Sequence, residues 1–313
     1  MPTQRYKLIV AYRGTRYHGW QRQLPNKLWK GEPLALGEGI PTIQERLMNA
    51  LVSVVHHPVE VVGSSRTDAG VHAKGQLVHF DTTSTQIPPE GLRLAANSRL
   101  PSDIVIRSVE PVPDDFDARK WTVRKRYQYA IWNHRDRHIF ASDLCWHRHK
   151  PHDVEAMREA AARFIGTHDF TSFARPGHGR EHAVRTIHEC SVSHRGGMIV
   201  VGVTGSGFLW NMVRIIVGTL SEVGLGQRRP EEIDAMLAAK DRTAAGGTAP
   251  AHGLYLQWVE TRPPVVEPAH VDEPRPPGSG QASSSLPQGH GATETATGGA
   301  QIIADEPDEG MRR

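Results

Sequence analysis

The sequence predicts an α+β fold: two similar ferredoxin-like halves whose mainly antiparallel sheets flank a central basic cleft, followed by a disordered tail. Three observations carry that expectation. The element order β-α-β-β-α-β can be read twice, once within residues 1–112 and again within 113–261. Runs of alternating polarity are separated by runs of helical spacing, several opened by a recognisable cap. The last 52 residues, 262–313, hold 8 of the 22 prolines and 7 of the 30 glycines but no Phe, Trp or Tyr. Such a stretch cannot bury enough surface to offset its chain entropy.

Residues 5–12 set Tyr6, Leu8, Val10 and Tyr12 against Lys7, Ile9 and Ala11, the alternation of a half-buried strand. Thr42-Ile-Gln-Glu45 is a capping box, and Ile43, Leu47, Ala50, Leu51 and Val54 follow at helical spacing. Residues 59–63 and 76–80 predict two strands, 89–100 a short helix and 103–109 a fourth strand. In the second half, residues 126–132 predict a strand. Asp153 caps a helix with Val154, Met157, Ala161 and Phe164 on one face. Residues 186–193 and 198–203 predict a hairpin turned through Arg195-Gly-Gly. A long helix over 208–223, a second over 230–240 and a closing strand over 254–259 complete the repeat, which is one of element order rather than of sequence. Residues 24–40 have no period and predict a surface loop; residues 112–122 predict the domain junction.

Net charge sharpens once the tail is set aside. The whole chain is +3, but the tail carries 4 Arg against 8 Asp and Glu, so residues 1–261 hold 33 Lys and Arg against 26 acidic residues, a net of +7. A body that basic favours a polyanionic partner. No stretch of about 18 apolar residues is present, which excludes a membrane-spanning helix. The amino terminus leads straight into a strand, so no signal peptide is expected. Cys145 and Cys190 cannot make a disulfide framework and point to a reducing compartment. The expected location is the cytoplasm.

The chemistry-bearing stretch is Gly63-Ser-Ser-Arg-Thr-Asp-Ala-Gly-Val-His-Ala73, set between two predicted strands. Asp-Ala-Gly there is ordinary turn chemistry and could simply close a connection. The loop also carries groups able to hold an anion or a flipped nucleobase, with one carboxylate, Asp68, among them. A lone carboxylate suits a nucleophile better than a two-carboxylate acid–base pair.

Arg66-Thr-Asp-Ala-Gly-Val-His-Ala73 closely resembles the signature loop of the tRNA pseudouridine synthase A family. Six further stretches resemble that family's blocks, in order: Tyr17-His-Gly-Trp-Gln-Arg-Gln23, Lys125-Arg-Tyr-Gln-Tyr129, His168-Asp-Phe-Thr-Ser-Phe173, Val184-Arg-Thr-Ile187, Phe208-Leu-Trp-Asn-Met-Val-Arg-Ile-Ile-Val-Gly218 and Ala249-Pro-Ala-His-Gly-Leu-Tyr-Leu256. The resemblance implies an isomerase that detaches uracil from its ribose, rotates it and rejoins it through carbon. It implies no cofactor and no metal. It further implies a homodimer holding one tRNA across both subunits, with uridines 38, 39 and 40 of the anticodon arm as targets.

The resemblance makes Asp68 the nucleophile. A nucleophilic carboxylate in a closed pocket must stay ionised, and a neighbouring guanidinium favours that form. Arg214, in the family block whose arginine pairs with that aspartate, is expected to meet Asp68 across the cleft, although it could instead cap its apolar helix or meet a phosphate. A uridine in a stem must leave the stack before its glycosidic bond can be reached, and the resemblance gives Arg66 the vacated space or the backbone. It gives Tyr127 the stack on the flipped base and help with the proton leaving ring carbon. By alternation Tyr129 is an equal candidate, and only motif position favours Tyr127. Leu254 is expected to wall the uracil, though a buried strand leucine is the plainer reading.

Arg124-Lys-Arg126, Arg135, Arg137, Arg175, Arg180, Arg185 and Arg228-Arg229 together could line a phosphate track. Two rival readings stand beside this one. His147-Arg-His149 with His152 looks ligand-like but lacks a matching Cys or carboxylate cluster. A basic RNA-binding module without catalysis would need the charge but not the Asp68 loop.

Overall fold

The structure is a computed structural model and describes residues 2–23, 40–177 and 182–263. The expected loop over 24–40 lies outside these residues save for Ile40, as does the expected tail from 264 onward. Among the described residues are ten strands and five α-helices, within one compact unit that runs from Met1 to Val265.

The first half runs β1 (Gln4–Tyr12), α1 (Ile43–Val55), β2 (Val62–Gly63), β3 (His72–Thr82), α2 (Pro89–Asn97) and β4 (Ile104–Val112). One arm of the expected capping box forms: Thr42 Oγ1 accepts from the Glu45 N–H at 3.4 Å, and α1 buries Ile43, Leu47, Ala50, Leu51 and Val54. The strand expected over 59–63 shrinks to Val62–Gly63, and β3 starts four residues earlier than expected. β1 lies between β3 and β4, antiparallel to both, and buries alternate residues.

The second half runs β5 (Thr122–Asn133), β6 (Trp146–Arg148), α3 (Val154–Ala162), β7 (Gly166–Asp169), β8 (Val184–Arg195), β9 (Met198–Gly205), α4 (Met212–Gly224), α5 (Glu232–Ala239) and β10 (Leu254–Thr261). Asp153 caps α3 by accepting from the Ala156 N–H at 3.0 Å. The β8–β9 hairpin turns at Gly196 and Gly197, with φ of +55° and +79°, the two consecutive left-handed residues that a tight hairpin turn demands. The expected helix over 208–223 begins only at Met212, because Asn211 sits in the left-handed region at φ +61° and ends any helical run before it. That four-residue correction leaves Phe208–Asn211 as irregular chain.

Sheet connectivity corrects the expectation of two separate sheets. All ten strands belong to one sheet, ordered β4-β1-β3-β10-β5-β9-β8-β7, with β2 on β3 and β6 on β5. Because β2 pairs only with Val78 and His79, the start of β3 is left with an open edge. β10 takes that edge in parallel, placing Tyr255 opposite His72 and Leu256 opposite Ala73, and pairs antiparallel with β5 on its other side. The hydrophobic core is correspondingly continuous, from Leu8 and Leu47 in the first half to Ile215 and Leu256 in the second. The expected junction lies between β4 and β5 and packs tightly. Phe116 and Ala118 are buried on Leu77, and the Ala118 N–H donates to His79 Nδ1 at 3.0 Å.

Candidate active site

The loop of residues 64–71 joins β2 to β3 directly beside the β3–β10 junction. Its shape is imposed by its backing. The Thr67 carbonyl accepts from the Trp20 N–H at 3.0 Å, the Gly70 N–H donates to the Tyr17 carbonyl at 3.3 Å, and Tyr12 Oη meets Thr67 Oγ1 at 2.8 Å. Gly19 makes this approach possible: its φ is +87°, and a Cβ there would lie 2.5 Å from the Thr67 oxygen. The block 17–23 thus serves as the floor beneath the loop. At the loop's far end His72 accepts from the Gly14 N–H at Nδ1 (3.0 Å), so its Nε2–H donates to the His252 carbonyl at 3.0 Å. The same ring stacks on Tyr255 at 4.8 Å. Burial holds the His72 pKa below the ordinary imidazole value, which keeps the ring in the neutral form this pairing needs.

Asp68 projects from this frame to meet two donors. Arg214 Nη1 donates to Asp68 Oδ2 at 3.3 Å, with the two side chains 17% and 32% exposed respectively. Trp210 Nε1 donates to Asp68 Oδ1 at 3.1 Å. Arg214 is itself fixed on either side: its Nε donates to the Ala249 carbonyl at 2.8 Å and its Nη1 to Asn211 Oδ1 at 3.0 Å. The expected Asp68–Arg214 meeting is therefore present, across a sequence separation of 146 residues. The neighbouring apolar side chains of α4 pack into the core while the guanidinium satisfies three acceptors, so a costly unpaired cation is avoided.

Tyr127, on β5, is buried, with its hydroxyl 2.9 Å from Ser65 Oγ and its ring edge-on to Phe208 at 5.1 Å. Lys125 Nζ donates to the Ser64 carbonyl at 2.9 Å and braces the same loop. The alternative, Tyr129, is engaged elsewhere: its hydroxyl donates to the Pro250 carbonyl at 2.7 Å and its ring packs on Trp146. Leu254 is buried at the head of β10, opposite Tyr129. Arg66 is exposed and makes no hydrogen bond or ion pair with other described residues.

Burial pushes the Tyr127 phenol up to about 12, with the Ser65 hydrogen bond opposing and the Asp68 charge adding to the rise. Burial likewise takes Tyr255 to about 12 and raises Tyr12, Tyr17 and Tyr129. An unfolded tyrosine ionises near 10. Above that pH the unfolded chain releases protons that the folded chain retains, so stability falls as pH rises. The slope is about 1.4 kcal/mol per pH unit for a residue such as Tyr127. The expected outcome is alkaline unfolding between pH 10 and about 12, with phenolate absorbance at 295 nm and loss of circular dichroism rising together; phenolate appearing well before unfolding would contradict it.

The basic set is less free than its sequence suggests. Arg124 pairs with Glu260, Arg126 with Glu189, Arg228 with Glu222 and Arg229 with Glu232. Arg185 is buried and bonded to backbone carbonyls, while Arg135 and Arg137 are exposed. Arg180 lies outside the described residues. The histidines considered as metal ligands bond to protein groups, His147 to the His134 carbonyl and His152 to Ser221 Oγ. Among the described residues no group of three His, Cys, Asp or Glu is placed to hold a metal, and no helix is long and apolar enough to cross a membrane.

Trp210 is the site residue that the sequence left unassigned. It lies in the block Phe208-Leu-Trp-Asn-Met-Val-Arg, where the sequence points to a role for Arg214 alone.

A family model described as tRNA pseudouridine synthase matches residues 8–119 and 160–260. The chain is 43% identical over 249 residues to tRNA pseudouridine synthase A of Thermoanaerobacter sp. (strain X514), covering 80% of this chain and 96% of that protein. It is 46% identical over 255 residues to the protein of the same name from Exiguobacterium sp., covering 81% and 96%. Against tRNA pseudouridine synthase A of Bacillus subtilis (strain 168) it is 42% identical over 255 residues, covering 80% and 97%.

Proposed function

Because this chain belongs to the tRNA pseudouridine synthase family and is an isomerase of tRNA uridine, we propose that it modifies the anticodon stem-loop, at nucleotides 38, 39 and 40, with Asp68 as the nucleophile. The observation that carries the reading is the single carboxylate held by two donors, Arg214 and Trp210, on a loop backed by the 17–23 segment.

The isomerisation breaks the bond from ribose C1′ to uracil N1, forms one from C1′ to C5, moves the C5 proton off carbon and places a proton on N1. A nucleophile must hold one fragment while the base turns, and a carboxylate both attacks and departs readily. The target must be out of the stack when this happens. Exposed Arg66 enters the space it leaves or grips the backbone. Tyr127 stacks on the flipped uracil; its phenol stays protonated at neutral pH, so it assists by relay, its oxygen accepting the C5 proton as its own hydroxyl proton passes on to water. Leu254 supplies the apolar wall.

This reading takes residues 1–112 and 113–261 as two ferredoxin-like halves. The strand orders β4-β1-β3-β2 and, with the short β6 and the edge strand β7 set aside, β10-β5-β9-β8 support it, since each then runs last, first, third, second. Residues 262–313 form the acidic tail, and the enzyme is a cytoplasmic homodimer working on tRNA without cofactor or metal.

The test is a map of pseudouridine in tRNA from cells with and without the protein, together with tritium release from tRNA labelled at uridine C5. Loss of pseudouridine at the three anticodon-arm positions is expected when the protein is absent. Unchanged anticodon arms would overturn the substrate assignment.

A further inference from the structure

We infer that Trp210, backed by the Arg175 guanidinium, is a positioning residue for the Asp68 carboxylate; this rests on the reading of Asp68 as nucleophile. The terminal torsion of an aspartate is soft, so one donor leaves the carboxylate free to rock. Here each oxygen has its own donor, Trp210 Nε1 on Oδ1 at 3.1 Å and Arg214 Nη1 on Oδ2 at 3.3 Å. Two donors fix the carboxylate plane. A carboxylate offers about four lone-pair directions, so two stay open to the substrate.

Both donors are aimed by one local distortion. Asn211, at φ +61°, turns the chain between Trp210 and α4, and its Oδ1 accepts from the same Arg214 Nη1 at 3.0 Å. Asparagine tolerates this left-handed geometry better than other non-glycine residues.

Arg175 completes the arrangement. Its guanidinium lies 4.2 Å from the indole centroid, and its backbone N–H donates to the Trp210 carbonyl at 2.9 Å. A cation over the ring face draws density from the indole and makes its N–H a better donor to an anion. Trp210 is 41% exposed, so core packing accounts for little of its placement; the contacts to Asp68 and Arg175 account for more.

Trp210→Phe keeps a ring under Arg175 and removes the N–H. The expected result is a roughly tenfold lower kcat, the scale of one hydrogen bond to a charged group. KM for tRNA and the melting temperature are expected to stay unchanged. Trp210→His, which returns a ring N–H, is expected to recover part of the loss. Arg175→Gln is expected to lower kcat in the parent and to add nothing in the Trp210→Phe background, the non-additivity of a shared chain of contacts.

Wild-type kcat in Trp210→Phe would overturn the proposal. So would a raised KM with unchanged kcat, which would make Trp210 an RNA-stacking contact. Additive effects of the two substitutions would overturn the part given to Arg175. Asp68→Asn, assayed in parallel, separates the two levels: an active Asp68→Asn sinks the nucleophile itself, whereas an inactive one beside a normal Trp210→Phe sinks only the positioning.

Discussion

Asp68→Asn is expected to lower turnover by roughly ten-thousand-fold or more while leaving the fold and tRNA binding intact, the scale seen when a nucleophile is removed. The substitution preserves side-chain shape and removes the negative charge and the attacking oxygen. Its amide still offers an oxygen to one donor, but its NH2 group must then face the other, so either Trp210 Nε1 loses its acceptor or Arg214 Nη1 loses its Asp68 contact and keeps only Asn211 Oδ1. Asp68 is one-third exposed, which lets water cover that loss and keeps the structural penalty small. Single-turnover tritium release, with circular dichroism and filter binding on the same preparation, is the measurement. A variant keeping even a tenth of normal turnover would remove Asp68 from the nucleophile's role.

Arg214→Met is expected to cost both activity and stability, by different routes. Activity should fall roughly a hundred- to a thousand-fold, the usual scale for losing one preorganised electrostatic partner. Stability should fall by about 1–3 kcal/mol, because the Ala249 carbonyl, on a buried residue, is left without the Arg214 Nε donor. Arg214→Lys is the informative companion. An ammonium keeps the charge but cannot span Ala249, Asn211 and Asp68 at once, so it should fall between the parent and the methionine variant. Melting temperature and kcat measured together separate the two routes. Loss of kcat in proportion to the unfolded fraction would assign Arg214 a structural role alone.

Local features of this fold were legible in the sequence because their causes are local. The Thr42 and Asp153 caps, the apolar face of α1, and the hairpin at Gly196-Gly197 all depend on residues within one turn of each other. Where residue type permits more than one local conformation, the sequence does not decide between them. Asparagine in Phe208-Leu-Trp-Asn permits a left-handed residue without requiring one, so the spacing predicts a helix that starts four residues too early and gives Trp210 no role. Similarly, the runs of arginine suggested a phosphate track, yet Arg124, Arg126, Arg228 and Arg229 find acidic partners that no spacing foretold.

The sequence by itself determined the element order, the basic body and the loop that carries Asp68, and through its motif blocks the kind of enzyme this is. Tertiary structure alone decided that two halves share one sheet, that Tyr127 rather than Tyr129 stands beside the Asp68 loop, and that Trp210 joins Arg214 on the carboxylate. The reason is the range of the forces involved. Capping and periodicity act over three or four residues and are written into neighbouring letters. The Asp68 contacts bridge 142 and 146 residues, and they exist because the open edge of β3 accepts β10, a pairing specified by backbone hydrogen bonds that every residue type except proline can make.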